Sequence, residues 1–378
     1  MMQNSSPDSY TAYVIGLGRV GFLLEGELGR AAPCTHAGCF RDHKRTRLLE
    51  GYDIDPGRTE EFKKNFPESN GHCLDLLERL RETKPEIISI CTSSSTHMEI
   101  METIARASDG KSWPRGILLE KPVGLNLKEG ERIYSIIQKM NIPVVVCHDR
   151  RFYPDFRGFH ALIRRRGLGR LRHLHGSVFC SSFVKGRSHS RKGLHFGGPL
   201  VHDGTHLFDL MIYYAGVPTH VSGLSLRYQK NTLTEDTSMG TLFFENGVTG
   251  SFHVGGRRKY FHFEMDWEWE RAKLSYSHGR LQFLKKKPGS PYLQTAKVPE
   301  FSTENPYLNR LDHLIAVMEN REENESSLKD GLLALKTIEA VYRSCTQEGS
   351  LVSVEQGIKK PQIMFHTKEV EPCLPLIT

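Results

Sequence analysis

The chain has no long hydrophobic run. Nowhere in its 378 residues does an apolar stretch approach the roughly 18 needed to span a bilayer, which excludes a predicted transmembrane helix. The opening MMQNSSPDSY is polar and lacks an apolar core, so it is not read as a signal peptide. No internal repeat and no low-complexity tract occurs, which removes repeat architectures. Cysteine is sparse and scattered, at 34, 39, 73, 91, 147, 180, 345 and 373. Several of these lie in apolar strand-like runs, Cys91 and Cys147 among them, which suits reduced thiols in a cytoplasmic protein better than a disulfide frame. Cys34, His36 and Cys39 lie close together but lack a fourth ligand nearby, a poor case for zinc, and no metal is expected. Charge is not strongly one-sided: 51 Lys and Arg against 44 Asp and Glu leave +7. The excess sits in RRRGLGRLRH near 164 and KKK at 285. With no nucleic-acid motif beside them, these are read as solvated faces, so neither nucleic acid nor membrane is an expected partner.

What remains is an ordinary globular balance, 38% hydrophobic and 25% charged. The length suits about two domains at ~150 residues each. In AYVIGLGRVG a short β-branched run leads into Gly16-x-Gly18-x-x-Gly21. Gly16 permits a tight turn, Gly18 lets a pyrophosphate approach the backbone, and Gly21 lets the following helix pack on the strand. LLEGYDIDPGR then reads as a second strand ending at Asp53. A carboxylate there accepts from ribose hydroxyls and repels a 2′-phosphate, which favours NAD over NADP. The plainer reading makes Asp53 and Asp55 turn residues ahead of Pro56. Gly16 to Asp53 spans 37 residues, against the ~20 of the usual pattern. The surplus is assigned to an insertion in the first crossover, at 22–35, overlapping EGELGRAAPCTHAGCF.

The alternation continues. EIISICTSSSTHMEIMETIA reads as strand, polar loop and helix, with Thr92 to Ser95 at the carboxyl end of the strand, where α/β sheets bind ligands. GILLEKPVG is the next strand, LKEGERIYSIIQKM a helix, and IPVVVCHDRRF another strand. This pattern predicts an α/β fold built on a doubly wound parallel sheet. After residue 220 the pattern becomes antiparallel, with a hairpin turning at Glu245-Asn246-Gly247 and strand-like YFHFEMDWEWERAKLSYS. A helical NRLDHLIAVMEN and the segment 330–345 close the pattern.

An ordered series of these segments resembles the Gfo/Idh/MocA family (glucose–fructose oxidoreductase, inositol dehydrogenase and rhizopine-catabolism proteins). The series is GLGRVG, HAGCFRDH, DID, TSSSTH, EKP, HDRRFYPDFR, GGPLVHDGTHLFDLMIYYAG, EDTSMGTLFFENGVTGSF and DGLLALKTIEAVYRSC, over roughly residues 12–352. The resemblance implies an N-terminal Rossmann domain, taken here as 10–148. It also implies a C-terminal α/β domain with a large, mostly antiparallel sheet at 149–353, leaving a tail at 354–378. It implies an NAD(P)-dependent oxidoreductase acting on a secondary hydroxyl of a sugar, cyclitol or related polyol, or on the matching ketone. A homo-oligomer, dimer or tetramer, built on the large sheet is expected, since Leu242, Phe243 and Phe244 put apolar residues on both alternations.

The charged pair of EKP, directly after a core strand, then has a purpose. In the family the lysine of this motif donates to the substrate oxygen, and Lys121 takes that role, with Pro122 fixing the turn through a cis bond. The cofactor contacts expected are Gly16, Gly18, Arg19, Val20, Gly21, Asp53, Thr92, Ser93, His97, Glu120 and Lys121. In FGGPLVHDGTHLFDL, Gly198 suits an N-cap and Pro199 the first helical position. His202, Asp203 and His206 then fall near one helical face, and a histidine beside an aspartate there is suited to general-base work. The family's Asp-x-x-x-His matches His206 as base but finds His202 where the aspartate belongs. Either His202 replaces it, or Asp203 takes its place. A metal pair of His202 with His206 is the rival reading. Arg150, Arg151 and Tyr153 are candidate substrate contacts, with Lys121, His202 and His206, or else form interdomain salt bridges. Two other functions stand beside the dehydrogenase: a non-catalytic ligand-sensing regulator, and an enzyme using tightly bound NAD for elimination or epimerisation.

Overall fold

The structure, a computed structural model, describes residues 9–27, 31–163, 167–181, 198–228, 234–298 and 300–355. Part of the basic run near 164 and nearly all of the expected tail lie outside the described residues. The chain divides into two compact units, Met1–Arg165 with Pro299–Leu335, and Arg166–Val298 with Lys336–Thr378.

In the first unit, β1 (Tyr10–Ile15), β2 (Thr46–Tyr52), β3 (Asn70–His72), β4 (Ile87–Ile90), β5 (Gly116–Leu119) and β6 (Val144–Val146) form one parallel sheet, in the order β3-β2-β1-β4-β5-β6. That is the doubly wound dinucleotide-binding order. Its helices are α1 (His36–Asp42), α2 (Pro56–Asn65), α3 (Leu76–Thr83), α4 (His97–Ser108), α5 (Leu127–Met140) and α6 (Pro154–Ile163). Side chains alternate across the sheet into two cores. One holds Tyr10, Ala12, Val14, Leu118 and Val145; the other holds Tyr13, Ile15, Ile88, Ile90, Ile117 and Leu119. With both faces covered, the central strands read as continuous apolar runs.

One expectation is corrected here. The helix after the glycine motif is a single wide turn, Arg19–Leu23, with Leu23 N–H bonded to Gly18 O and Leu24 N–H to Arg19 O. The crossover proper is α1, started by Thr35, whose hydroxyl accepts from Gly38 N–H. The inserted residues build this start: Glu25 accepts from the Thr35 hydroxyl at 2.6 Å and from Cys34 N–H at 3.3 Å. By its internal packing the first compact unit runs to Arg165 and takes in Pro299–Leu335, because Leu311, Leu314 and Ile315 of a late helix belong to its core.

The second unit holds nine strands. They are β7 (Leu171–Phe179), β8 (Pro218–Leu226), β9 (Thr237–Phe244), β10 (Thr249–Gly255), β11 (His262–Trp269), β12 (Ala272–Ser277), β13 (Arg280–Lys286), β14 (Leu293–Thr295) and β15 (Val352–Ser353). Their order is β14-β13-β12-β11-β7-β10-β9-β8-β15, antiparallel except where β10 pairs with β7. The expected hairpin joins β9 to β10, with Gly247 at φ +80. Two helices precede β8, namely α7 (Pro199–His202) and α8 (Gly204–Ala215). The late helix of the first unit is α9 (Pro306–Met318), and α10 (Leu328–Thr346) follows it.

One face of the nine-stranded sheet packs under α8. A side chain at Gly176 would lie 2.2 Å from Leu207, and Phe208 and Tyr214 meet Phe252 and Trp267 at ring separations of 4.9 and 5.1 Å. On β11 the residues alternate strictly, Phe263, Met265, Trp267 and Trp269 inward, His262, Glu264, Asp266 and Glu268 outward. Among the described residues no helix covers the outward face, where Leu224, Met239 and Phe243 are exposed. Leu242 and Phe244 are buried, so the apolar run divides its side chains between the two faces.

Candidate active site

Each unit carries part of the expected chemistry. In the first, β1 delivers the glycine motif. Gly16 has φ +98, and a side chain there would lie 2.7 Å from Thr92 N at the end of β4. Gly21 presses on Gly16, whose carbonyl oxygen lies 2.1 Å from where a Cβ would be. Around Gly18 the nearest atom to such a Cβ is Arg58 Nη1, at 4.0 Å. Two glycines therefore close the turn and one leaves its backbone open, the arrangement a pyrophosphate needs. Arg19 is exposed, 3.5 Å from Glu27, while Val20 packs at the edge of the core.

Asp53 is buried at the end of β2 and holds the loop in place. Its Oδ2 accepts from Leu17 N–H at 2.8 Å and from Arg58 Nη1 at 3.3 Å, and its Oδ1 accepts from Asp55 N–H at 3.0 Å. Asp55 caps α2 through Gly57 N–H. Each carboxylate oxygen has more than one acceptor site, so ribose hydroxyls can still be received. Arg58 was not foreseen; its guanidinium lies beside Asp53 at the end of β2.

Thr92 and Ser93 lie on the loop after β4, where Thr96 donates to the Thr92 hydroxyl at 2.9 Å. His97 is fully buried behind that loop. One ring nitrogen faces Val123 O and the other Thr92 O, each at 3.2 Å, so His97 ties the loop to the segment after EKP rather than presenting an atom at the surface. Burial pushes its pKa down.

EKP follows β5, and the Lys121–Pro122 bond is cis. Lys121 is half-exposed, whereas Glu120 turns inward. Glu120 Oε1 accepts from His36 Nε2 at 3.1 Å; Ser89 donates to His36 Nδ1; Cys147 Sγ stands 4.0 Å from the same ring; and Arg310, itself paired with Asp149, lies 3.4 Å away. All of these side chains except Asp149 are buried to nine-tenths or more. Burial works against the Glu120 charge, but the His36 hydrogen bond and the positive charges of His36, Arg310 and Lys121 outweigh it and hold the carboxyl at about 2. Burial and the Arg310 charge push the His36 pKa down, against the opposing pull of Glu120. His36, Glu120 and Cys147 converge closely enough to ligate a cation, and Arg310 already places a positive charge against them. Cys34 donates instead to Leu24 O, at 3.2 Å, and Cys39 lies in the core, so the three residues close in sequence point apart.

The residues after β6 divide. Arg151 is buried, bonded to Glu325 O and 3.5 Å from Asp330, all in the first unit, so it is structural. Arg150 sits half-exposed over the ring of Phe156, with Tyr153 at the edge of the same ring. Arg310 and Asp149 were missed from the sequence. The available signal was an arginine on the buried side of α9, one turn before Leu314.

In the second unit, Gly198 caps α7 and Pro199 takes its first position, as the spacing predicts. The single continuous helix expected here is absent. α7 ends at His202, Asp203 falls between, and α8 starts at Gly204, with His206 N–H bonded to Asp203 O at 3.3 Å. His202 is exposed, its Nδ1 3.4 Å from Asp203 Oδ2, while Asp203 and His206 are half-buried. The metal pair of His202 with His206 thus meets a histidine already turned to its neighbouring carboxylate.

A parallel sheet in the dinucleotide-binding order, an open Gly18 and an aspartate closing β2 define a nucleotide-binding oxidoreductase fold. Residues 14–148 match the model of the oxidoreductase family with NAD-binding Rossmann fold, and residues 156–282 match the GFO/IDH/MocA C-terminal domain. The chain belongs to the Gfo/Idh/MocA family of oxidoreductases. It is 24% identical over 297 residues to the D-apiose dehydrogenase of Paraburkholderia graminis, covering 74% of this chain and 76% of that protein. It is 21% identical to the inositol 2-dehydrogenase of Rhizobium meliloti, covering 87% and 97%. Among solved structures it is similar to the WlbA dehydrogenase of Bordetella pertussis in complex with NADH and UDP-GlcNAcA, with a TM-score of 0.74, 17% identity, and coverage of 92% and 99%. Among the described residues no helix is long and apolar enough to cross a membrane.

Glu120 has a folded pKa below its unfolded one, so its contribution to stability is present above the unfolded value and is lost as pH falls toward about 2. Glu120→Gln is therefore expected to lower the urea midpoint at neutral pH. The deficit should shrink between about pH 5 and about pH 3. A deficit independent of pH would show that the charge is not what stabilises the cluster.

Proposed function

We propose that the protein is an NAD(P)-dependent dehydrogenase acting on a secondary hydroxyl of a sugar, cyclitol or related polyol, with Lys121 and His206 as its catalytic residues. The observation that carries the reading is the state of the EKP turn: Glu120 is buried against His36, while Lys121 beside it is half-exposed. The first unit fits a dinucleotide through Gly16, Gly18, Gly21, Asp53 and the Thr92–Ser93 loop. When bound, the nicotinamide supplies the carbon that accepts the substrate's hydride equivalent. Lys121 donates a hydrogen bond to the substrate oxygen and steadies its negative charge as the proton leaves. His206 takes that proton, and its place at the head of α8 fixes its backbone. His202 and Asp203 form a pair, and we assign Asp203 to orient the base because it is the more sheltered of the two. Arg150 and Tyr153 are assigned to the substrate.

The names of the relatives support the substrate class: an apiose dehydrogenase and an inositol dehydrogenase both act on polyhydroxylated rings or chains. We infer NAD as the preferred cofactor, because Asp53 opposes a 2′-phosphate, with Arg58 reducing the margin. We infer a homo-oligomer formed through the outward face of the nine-stranded sheet. The seven described cysteines are free thiols, which supports a reducing, cytoplasmic setting.

Three outcomes are expected. His206→Ala lowers kcat by ~10²–10⁴ with NAD affinity by calorimetry unchanged, and Lys121→Ala lowers kcat and weakens substrate binding. Their combined loss stays below the product of the single losses, because the two act on one oxygen. Near-full activity in His206→Ala, on a substrate found by following nicotinamide absorbance across a sugar and inositol panel, would refute the assignment. For the cofactor, Asp53→Asn shifts the NADP-to-NAD affinity ratio upward by about tenfold, one hydrogen-bonded charge's worth; an unchanged ratio removes Asp53 from discrimination. For assembly, light scattering should give a multimer at micromolar concentration, and Phe243→Asp should shift it toward monomer. A wild type that stays monomeric rules the interface out.

A further inference from the structure

The segment bearing the candidate base is held from behind by a carboxyl group that the chemistry above does not use. Glu235 lies just before β9 and is 1% exposed. Its Oε1 accepts two hydrogen bonds, from Leu200 N–H in the first turn of α7 at 3.1 Å and from the Tyr342 hydroxyl on α10 at 2.9 Å. Its Oε2 is buried and has no hydrogen-bond partner among the described residues. Gly198, the cap of α7, is pressed on the same group: a Cβ there would lie 2.5 Å from Glu235 Cδ and 2.5 Å from its carbonyl oxygen. From Gly198 the backbone runs by two hydrogen bonds, His202 N–H to Gly198 O and Asp203 N–H to Pro199 O, and then by His206 N–H to Asp203 O, to the base itself.

We propose that Glu235 is a positioning residue: with Tyr342 it clamps the start of α7, and the charge it carries sets how firmly the His202–Asp203–His206 segment is held. This rests on the reading of His206 as the base. The geometry is asymmetric in a way that matters. An ionised carboxylate spreads its charge over both oxygens, and here Oε1 holds two donors while Oε2 has no partner among the described residues. The titratable groups against it include Tyr342 and, beyond it on α10, Cys345, with Asp236 as chain neighbour. Burial raises the Glu235 carboxyl to about 7, with the bonds from Leu200 and Tyr342 opposing the rise, and burial keeps the Tyr342 hydroxyl protonated as a donor. Because the folded pKa lies above the unfolded one, the stability tied to the neutral form is complete below the unfolded pKa. It is lost as pH rises through about 7. The same rise charges the clamp and strengthens its two bonds to Leu200 and Tyr342. The segment is thus gripped harder at the expense of the fold.

The test uses the intact protein and two measurements. Hydrogen exchange is read by mass spectrometry over the peptide containing Leu200 and His206. Glu235→Ala should raise exchange there by about tenfold or more while peptides of β1 and β4 keep wild-type rates. Glu235→Gln, which keeps the shape and the acceptor oxygen but not the charge, should restore most of the protection at about pH 5 and fall short of wild type at about pH 8. Thermal unfolding supplies the second arm: the Tm of Glu235→Gln, relative to wild type, should shift upward as pH goes from about 5 to about 8, since glutamine does not ionise. If Glu235→Ala does not fold, Tyr342→Phe, which removes one donor, should raise exchange in the same peptide. Unchanged exchange in a folded Glu235→Ala, or a Tm gap flat with pH, overturns the proposal. Turnover separates it from the reading beneath. With a polyol that reduces NAD, Glu235→Ala should lower kcat by about tenfold to a hundredfold and leave NAD affinity alone. An unchanged kcat alongside raised exchange refutes the positioning role. If the wild type turns over no polyol, the dehydrogenase reading falls while the exchange result stands.

Discussion

A carboxylate buried at the end of a core strand must be matched from several directions, and in this protein the match organises the Rossmann unit. Glu120 leaves β5 pointing inward, where an unpaired charge would cost several kcal/mol. His36 reaches it from the start of α1, Arg310 comes up to that histidine from the buried side of α9, and Ser89 from β4 meets the histidine's other nitrogen. Arg310 is in turn tied to Asp149 beyond β6. One charge therefore joins three strand ends and two helices that are far apart in sequence. It also accounts for the reach of the unit, because α9 must be part of the body whose carboxylate its arginine serves.

The same cluster sets the character of the EKP turn. Glu120 is turned inward to His36, while Lys121 beside it is half-exposed. The wide turn after the glycine motif belongs to this arrangement. Glu25, in the inserted stretch, builds the start of α1 by holding Thr35, and His36 is the next residue. The insertion thus restores, by a different path, the helix the short turn does not provide.

In the second unit the dependence runs through close packing. Gly176 and Gly223 let α8 and α10 approach the sheet, with Ser344 accepting from Gly223 N–H at 2.9 Å. Helix and sheet together fix Glu235 and Tyr342 behind α7. The break at Asp203 shows what this costs the simpler picture: a 3.6-residue period assumes one helix axis, and the axis ends one residue after His202.

Local order was legible in the residues. Period-2 alternation in HFEMDWEW, the helix LKEGERIYSIIQKM, the Gly-Pro start of α7 and the glycine spacing after β1 each depend on neighbours within a few positions, and each was found where the pattern put it. The cis turn after Lys121 and the hairpin at Glu245–Gly247 are of the same kind. What only the tertiary structure decided was which polar groups meet. His36, with Cys34 and Cys39 beside it, offered a metal reading because spacing alone cannot say where side chains point; the fold turned it to Glu120, 84 residues away. Arg310, Asp149 and Glu235 gave no clear local signal, since the partner of a buried charge is chosen by the packing of distant elements. Desolvation makes that choice binding, and it is a property of the folded interior, not of the chain.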